Sequence, residues 1–148
     1  MPPKPRNIDP DAYYHVISRG NNKHKLFLDS ADYDHYLRLV EATAIRFPVT
    51  IIKYVLMPNH VHFLLRPNGE YLPKFMQIVN RGYARHFAAR YEFIGHVWQG
   101  RYKSIFIDSD AYLYTCGEYI ENNPVRAGLC KDKKEWPFSS IQKMVTVT

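Results

Sequence analysis

The chain has 148 residues, of which 46% are hydrophobic, 15% aromatic and 23% charged. This composition predicts a single globular domain over residues 1–148 and excludes a disordered or fibrous protein. The formal charge of +6 and the pI near 9.3 favour an anionic partner such as nucleic acid, although many basic domains bind nothing anionic.

The sequence shows no segment that predicts a membrane span or a secretory signal. The proline-rich stretch Met1–Pro10 has no apolar core, and no run of 18 apolar residues occurs. Cys116 and Cys130 lack a zinc-ribbon spacing and suit a reducing compartment. We therefore expect an extended tail at residues 1–10, a cytoplasmic location and no membrane association.

The first two predicted elements are a strand and a helix. Tyr13–Arg19 is rich in β-branched and aromatic residues and is followed by the turn-forming residues Gly20, Asn21 and Asn22. Asp29 or Ser30 can cap a helix that runs to about Phe47, with apolar residues at helical spacing.

A β-hairpin is predicted over Ile51–Arg66, because Pro58 and Asn59 suit a tight turn between two strand-like runs. Alternate residues of a strand point to the same face, so His60 and His62 would emerge side by side. Such a pair can chelate a divalent ion. Ordinary packing or exposure of strand histidines is the alternative, and the hairpin alone does not decide between them.

A second helix is predicted from about Tyr71 to Tyr91, followed by a strand at Arg101–Ile107. The helix has an apolar stripe and a separate polar face with basic residues at helical intervals. This face either follows a phosphate backbone or is simply solvated. Its members are Lys74, Gln77, Arg81 and Arg85.

The last predicted helix runs from Ala111 to about Asn122 and ends before Pro124. One of its faces carries a tyrosine and an asparagine one turn apart, which either face a common ion or form an aromatic stripe with a helix terminator. That face holds Tyr112, Cys116, Tyr119 and Asn123. Residues 124–148 are expected to form a tail that packs back on the core through its aromatic side chains.

The order strand, helix, strand, strand, helix, strand, helix predicts an α+β fold. A ferredoxin-like antiparallel sheet with two crossover helices on one face satisfies this order with short connections. The final helix then carries Tyr119 as an addition to that core.

Five motifs between Tyr13 and Ser140 resemble one family in their order and spacing. They are S-R-G-N, P-N-H-V-H, W-Q-G-R-Y-K-S, Y-I-E-N-N-P-V-R-A-G-L and W-P-F-S-S. Together they resemble the single-tyrosine, HUH-motif transposases, specifically the REP-associated tyrosine transposases.

The resemblance implies that Tyr119 is the nucleophile and that His60, His62 and Asn123 bind a divalent metal, Mg or Mn. It also implies cleavage and rejoining of one DNA strand at palindromic hairpins through a 5′-phosphotyrosine link. The partner would be single-stranded DNA with hairpin structure. No nucleotide cofactor is expected, because the covalent link conserves the energy of the phosphodiester, and a homodimer is possible.

Basic and amide side chains on the first loop and the second helix are candidate DNA contacts. They are Arg19, Asn21, Asn22, Lys23, Lys74, Arg81 and Arg85. Three alternatives to the transposase stay open. They are a hairpin-binding module that does not cut DNA, a replication initiator or relaxase-type nickase of the wider HUH group, and a zinc-stabilised fold.

Overall fold

The structure is a computed structural model that describes residues 8–145, so most of the predicted N-terminal tail lies outside the described residues. Within that range, four strands and three α-helices form the fold. The strands are β1 (Tyr13–Arg19), β2 (Thr50–Met57), β3 (His60–Arg66) and β4 (Lys103–Ile107). The helices are α1 (Ser30–Arg46), α2 (Leu72–Tyr91) and α3 (Asp110–Arg126).

The four strands form one sheet in the order β2-β3-β1-β4, and every neighbouring pair is antiparallel. The crossover helices α1 and α2 contact each other, whereas α3 contacts the strands β2, β3 and β4. This is the predicted ferredoxin-like α+β architecture with an additional C-terminal helix, and the fold prediction is confirmed.

The strands divide their side chains between two apolar clusters, because alternate residues face opposite sides of the sheet. The larger cluster contains Val16 and Phe63 together with the buried residues of α1 and α2. The smaller one joins Leu64 to Cys116 and Ile120 of α3. Helix α3 is therefore held against the face of the sheet that also carries the odd-numbered residues of β1 and the even-numbered residues of β3.

Local sequence signals account for the main boundaries. The hairpin turn consists of Pro58 and Asn59, since Met57 pairs with His60 across it. The side chain of Asp29 accepts a hydrogen bond from the backbone of α1, and Ser109 does the same for α3, so both capping residues satisfy otherwise unpaired helix N–H groups.

Helix α3 continues through Pro124 to Arg126, so the predicted end at about Asn122 is wrong. A proline in the last turn removes only its own N–H bond to the preceding turn and leaves the earlier helix intact. The chain instead leaves the helix at Gly128, whose φ of +75° suits the left-handed conformation that ends many helices. Arg126 consequently lies two helical turns beyond Tyr119, on the same side of α3.

Strand β4 begins at Lys103, two residues later than predicted. The preceding segment pairs instead with the end of β1: Gly20 forms a bridge with Trp98, and the N–H of Gln99 donates to the carbonyl of Arg19 at 2.8 Å. These contacts hold residues 97–101 against the end of β1.

The segment after α3 returns to the outer edge of the sheet. The indole N–H of Trp136 donates to the carbonyl of Leu56 at 3.0 Å, and the Phe138 ring stacks on Tyr33 with centroids 3.8 Å apart. These contacts cover the free edge of β2 near Val55, which bridges to Ser139.

Candidate active site

Three histidines from two neighbouring strands meet on the α3 face of the sheet. His15 Nε2 lies 2.7 Å from His62 Nδ1, and both side chains are buried. The ring centroid of His60 lies 4.9 Å from that of His62, and its Nδ1 lies 2.7 Å from Asn59 Oδ1. The predicted side-by-side arrangement of His60 and His62 is thus present, with a third imidazole beside it.

The surroundings keep these imidazoles uncharged near neutral pH. Burial, reinforced by the positive charge of Arg19, lowers the pKa of His15 and of His60 to about 4. Burial and then the neighbouring histidines lower the pKa of His62 to about 2. A neutral imidazole has a free lone pair on one ring nitrogen, which is the state that binds a metal ion.

The hydrogen bonds also indicate which ring nitrogens are available. Nδ1 of His60 and Nδ1 of His62 are each engaged by a neighbouring side chain. Nε2 of each ring can then act as a ligand, provided that the proton of the ring is on Nδ1. Two imidazoles held by their second nitrogen are typical of metal-ligating histidines.

Tyr119 lies on α3 opposite these histidines and is 48% exposed. Its ring centroid is 6.2 Å from that of His62 and 6.1 Å from that of His15. The Arg126 guanidinium carbon lies 3.9 Å from the centre of the Tyr119 ring. The structure therefore brings the tyrosine and the histidine pair of one chain together, with a cation against the tyrosine.

The other members of the predicted α3 face differ from one another in exposure. Cys116 is buried in the cluster beneath α3, where burial raises the pKa of its thiol to about 11, so it stays protonated. Asn123 is also buried, at 9% exposure, one turn after Tyr119. Tyr112 is 37% exposed. Only the tyrosines of this face are accessible, and Asn123 is an amide held inside.

The side chains around Tyr119 suit a divalent ion by the chemistry of their donor atoms. Among residues 8–145, no group of three or more His, Cys, Asp or Glu side chains is arranged to hold one. An ion here would depend on the neutral His60 and His62 pair with an amide oxygen such as that of Asn123. Mixed nitrogen and oxygen donors that leave positions open suit a catalytic ion rather than a closed structural zinc site, so the donor set fits.

A cleft of about 300 Å³ lies between α3 and the sheet, beside Tyr119 and His15. Its other lining residues are Ile17, Ile105, Tyr112, Thr115 and Cys116. A smaller cleft next to it is lined by three cationic side chains, Arg19, Arg101 and Lys103. This region thus combines an exposed tyrosine hydroxyl, uncharged imidazoles and positive charge, a set of groups that suits chemistry at a phosphodiester.

The predicted DNA contacts on the first loop lie at the end of β1. Arg19 pairs with His60 across β1 and β3, and its positive charge helps to lower the pKa of His60 and of His62. Asn21, Asn22 and Lys23 form a 3₁₀ turn in which Asn22 and Lys23 are left-handed, with φ of 54° and 58°. The N–H of Asn21 donates to the carbonyl of Val97 at 2.9 Å, so this turn and residues 97–101 form one surface.

The predicted DNA contacts on α2 do not all lie on one surface. Lys74 and Arg81 line a groove of about 610 Å³ between α2 and residues 98–102, whereas Arg85 is outside its lining. Trp98 lines the groove and is fixed to α2 by its indole N–H, which donates to the carbonyl of Asn80 at 2.8 Å. The groove therefore combines basic groups with an aromatic ring.

Three residues of this region were missed by sequence reasoning. His15 alternates with Ile17 and Arg19 along β1, which predicts a shared face but not a partner on β3. Arg101 lines both the groove and the smaller cleft. Arg126 was placed beyond the end of the helix, and its contact with Tyr119 follows only once α3 is known to continue.

In the part of the chain that the structure describes, no helix is long and apolar enough to cross a membrane.

Comparison with known families adds a match over most of the chain. The family model described as "Transposase IS200 like" matches residues 10–123. A Haemophilus influenzae protein named as a REP-associated tyrosine transposase is 26% identical over 120 residues. The alignment covers 70% of this chain and 65% of that protein, so the chain spans just under two thirds of this relative's length. The predicted resemblance is confirmed.

Solved structures share the fold. A REP-associated tyrosine transposase bound to a REP hairpin matches with a TM-score of 0.78 at 20% identity, over 97% of this chain and 84% of that one. A protein described as a transposase from Deinococcus radiodurans gives 0.54 at 21% identity, over 81% and 96% of the two chains. The tRNA(His) guanylyltransferase of Saccharomyces cerevisiae gives 0.53 at 14% identity, over 91% and 80%. A guanylyltransferase thus shares this fold with transposases, so the fold alone does not identify the function, which must be argued from the site.

Proposed function

Because this chain belongs to the family of IS200-like transposases, we propose that it cuts and rejoins one strand of DNA at hairpin-forming palindromes. The link that holds the cut end would be a 5′-phosphotyrosine on Tyr119. The observation that carries this proposal is the position of Tyr119, whose ring lies about 6 Å from the rings of His62 and His15 within the same chain.

The proposed reaction is an in-line displacement at phosphorus. The Tyr119 Oη–phosphorus bond forms while the phosphorus–O3′ bond breaks; the tyrosine loses its proton and the departing O3′ takes one up. Attack by a 3′-hydroxyl on the phosphotyrosine reverses these changes and joins DNA ends. Since the covalent link conserves the energy of the broken phosphodiester, rejoining needs no nucleotide cofactor.

His60, His62 and Asn123 are the residues that would hold a divalent ion, Mg or Mn. Such an ion supplies Lewis acidity at a non-bridging phosphate oxygen. The chain's own contribution is to present two neutral imidazoles, His62 buried and His60 half-buried, on a rigid sheet opposite Tyr119. The depressed pKa values of the histidines support this role, because protonated imidazoles would repel a cation.

Single-stranded DNA with hairpin structure is the proposed substrate. A solved REP-associated tyrosine transposase that shares the fold with a TM-score of 0.78 is bound to a REP hairpin, and we extend that class of partner to this chain. Arg101 connects two cationic surfaces, since it lines the cleft beside Arg19 as well as the groove that contains Lys74 and Arg81. A strand that leaves Tyr119 along these side chains would pass around the edge of the sheet into the groove.

The geometry supports a reaction within one protomer. Apolar contacts of Cys116 and Ile120 seat α3 on the sheet of its own chain, and the ion pair between Lys53 Nζ and Glu121 Oε1, at 2.7 Å, adds to them. Tyr119 therefore needs no second copy to reach the histidines. The homodimer expected as a possibility stays a prediction.

The decisive experiment asks whether Tyr119 becomes covalently attached to DNA. Single-stranded hairpin oligonucleotides with randomised flanks would carry a 3′ label, because the adduct retains the 3′ fragment. Purified protein is incubated with them in Mn²⁺ or Mg²⁺ and then with EDTA, and products are separated on denaturing gels. Tyr119→Phe is the test variant. Tyr114→Phe is the matched control, since Tyr114 is 72% exposed on the same helix.

We expect a metal-dependent adduct with wild-type protein and Tyr114→Phe, mapped to Tyr119 by mass spectrometry and absent from Tyr119→Phe. Cleavage without any adduct would show that the protein is a metallonuclease and that Tyr119 is not its nucleophile. Tight binding of a hairpin that is never cut would favour the module that only binds DNA.

A further inference from the structure

A buried contact between two histidines lies behind the candidate metal-binding pair. His15 Nε2 and His62 Nδ1 are 2.7 Å apart, and their rings are stacked with centroids 5.0 Å apart and an interplanar angle of 29°. His15 is 6% exposed and His62 is 3% exposed. A hydrogen bond this short in a buried place constrains both rings, because water cannot replace it.

The contact links the protonation pattern of one ring to that of the other. A neutral imidazole has one N–H and one lone pair, so one ring must donate and the other accept. If His62 donates from Nδ1, its Nε2 carries a lone pair and can bind an ion. If His15 donates instead, His62 Nε2 carries the proton and cannot. The direction of this hydrogen bond therefore decides whether His62 is a ligand.

The neighbouring histidine shows the arrangement that such a site requires. His60 Nδ1 lies 2.7 Å from Asn59 Oδ1. A side-chain amide oxygen can only accept, so His60 donates from Nδ1 and keeps the lone pair on Nε2. His62 would match it if His15 accepted in the same way.

On this basis we propose that His15 is a positioning residue that accepts a hydrogen bond from His62 and holds the His62 Nε2 lone pair towards the divalent ion. The inference rests on the proposed function, because it concerns the same ion site. It adds a residue on a different strand to that site. His15 does this without binding the ion itself, since its Nε2 is used by His62.

The register of the sheet explains why β1 can supply this residue. Ile17 pairs with His62, and His15 pairs with Leu64, so His15 lies diagonally across from His62 on the same face, where long side chains reach each other. Tyr14 and Val16, the residues next to His15, point into the opposite core. No other position of β1 offers an acceptor to His62 Nδ1 in the described structure.

The test compares two substitutions that differ in one property. His15→Gln keeps an acceptor oxygen at this place, whereas His15→Leu removes the acceptor and keeps most of the bulk. Tyr13→Phe is the control for a change on the same strand. Mn²⁺ affinity of the metal-free proteins is measured by titration calorimetry, and circular dichroism confirms that each is folded.

We expect His15→Leu to bind Mn²⁺ about 10- to 100-fold more weakly than wild type, the range seen when such supporting partners are lost. His15→Gln should stay within about threefold of wild type. DNA cleavage by His15→Leu should recover at high Mn²⁺, because the defect lies in affinity.

A second measurement needs no variant. Long-range ¹H–¹⁵N spectra of metal-free wild-type protein report the tautomer of His62, and we expect the proton on Nδ1. A proton on Nε2 would overturn the proposal, and so would wild-type Mn²⁺ affinity in His15→Leu. If wild-type protein and His60→Ala both fail to bind Mn²⁺, the ion site of the proposed function fails, and the role of His15 falls with it.

Discussion

Arg126 holds Tyr119 at two points. Its guanidinium carbon lies 3.9 Å from the centre of the Tyr119 ring, and its Nη2 donates to the Tyr119 backbone carbonyl at 2.6 Å. A planar guanidinium can stack on a ring and donate sideways at once, which an ammonium group cannot do. The half-exposed tyrosine is thereby kept in one orientation over the histidines.

Replacement of Arg126 should slow formation of the covalent adduct. We expect Arg126→Lys and Arg126→Gln to reduce the single-turnover rate about tenfold, which corresponds to the ~1.4 kcal/mol of a cation–π contact with its hydrogen bond. The rate is measured with saturating hairpin DNA, so that weaker binding does not contribute. Arg38→Gln, on the exposed side of α1, is the control. An unchanged rate in Arg126→Gln would show that Tyr119 is oriented without this contact.

The ion pair between Lys53 and Glu121 should help to fix α3 on the sheet. Its two charged atoms are 2.7 Å apart, and Glu121 is only 10% exposed whereas Lys53 is 34% exposed. We expect Glu121→Gln to lower the free energy of unfolding by about 1 kcal/mol, reduced from the value of a fully buried pair because water screens Lys53. Urea denaturation measures the change.

The matched control is Glu118→Gln, one turn earlier on α3. Glu118 pairs with Lys133 at 3.3 Å, and both side chains are about one third exposed. We expect this variant to change stability by less than about 0.5 kcal/mol. Equal losses in the two variants would mean that burial of Glu121 adds nothing to the anchoring of α3.

The sequence was sufficient for the elements of the fold because their signals are local. Strand alternation, the capping residues Asp29 and Ser109, and the turn at Pro58 and Asn59 each act within a few residues. Pro124 was misjudged for the same reason. A local rule says that proline interrupts a helix, but in the last turn the cost is one hydrogen bond, and packing of α3 on the sheet outweighs it.

The candidate site was only partly predictable because its remaining contacts are not local. His60 and His62 share a face by the two-residue period of a strand. The partner of His62 depends on the register between β1 and β3, which places Ile17 opposite His62 across 45 positions of sequence. No periodicity within β1 contains that information. The Arg126 contact similarly required the true end of α3.

Neutralising two residues of the groove should weaken DNA binding in a salt-dependent way. Lys74 and Arg81 line the groove, and each released phosphate contact on a single strand changes the slope of log affinity against log salt by about 0.7. We expect Lys74→Gln with Arg81→Gln to reduce that slope by about 1.4, as measured by fluorescence anisotropy between about 50 and 200 mM salt.

Arg85→Gln separates two paths for the DNA, because Arg85 lies on α2 outside the lining of the groove. A loss of about 0.7 in the slope of Arg85→Gln, with no loss in the double variant of Lys74 and Arg81, would place the DNA along the outer face of α2. An unchanged slope in the double variant of Lys74 and Arg81 would show that DNA does not bind in the groove.

The histidine cluster should make the folded state sensitive to mild acid. The folded pKa is lowered to about 4 for His15 and His60 and to about 2 for His62, from an ordinary value of 6.5. Above pH 6.5 the three histidines are neutral in the folded and in the unfolded chain, so they cause no loss of stability there. Below pH 6.5 these histidines become protonated in the unfolded chain but stay neutral in the folded chain. The free energy of unfolding therefore decreases as the pH is lowered, by up to ~1.4 kcal/mol per pH unit for each histidine.

Urea unfolding between pH 7.5 and about pH 5.5, in EDTA, measures this loss, and the window lies above the range where most carboxylates titrate. Below pH 6.5 we expect the free energy of unfolding of His15→Gln to depend less steeply on pH than that of wild type. The variant has one fewer histidine that is protonated only in the unfolded state. His96→Gln, which changes an exposed loop histidine, is the control variant. If His15→Gln and wild type lose stability in parallel, His15 already takes up its proton in the folded state, and the cluster is less shielded from water than its burial indicates.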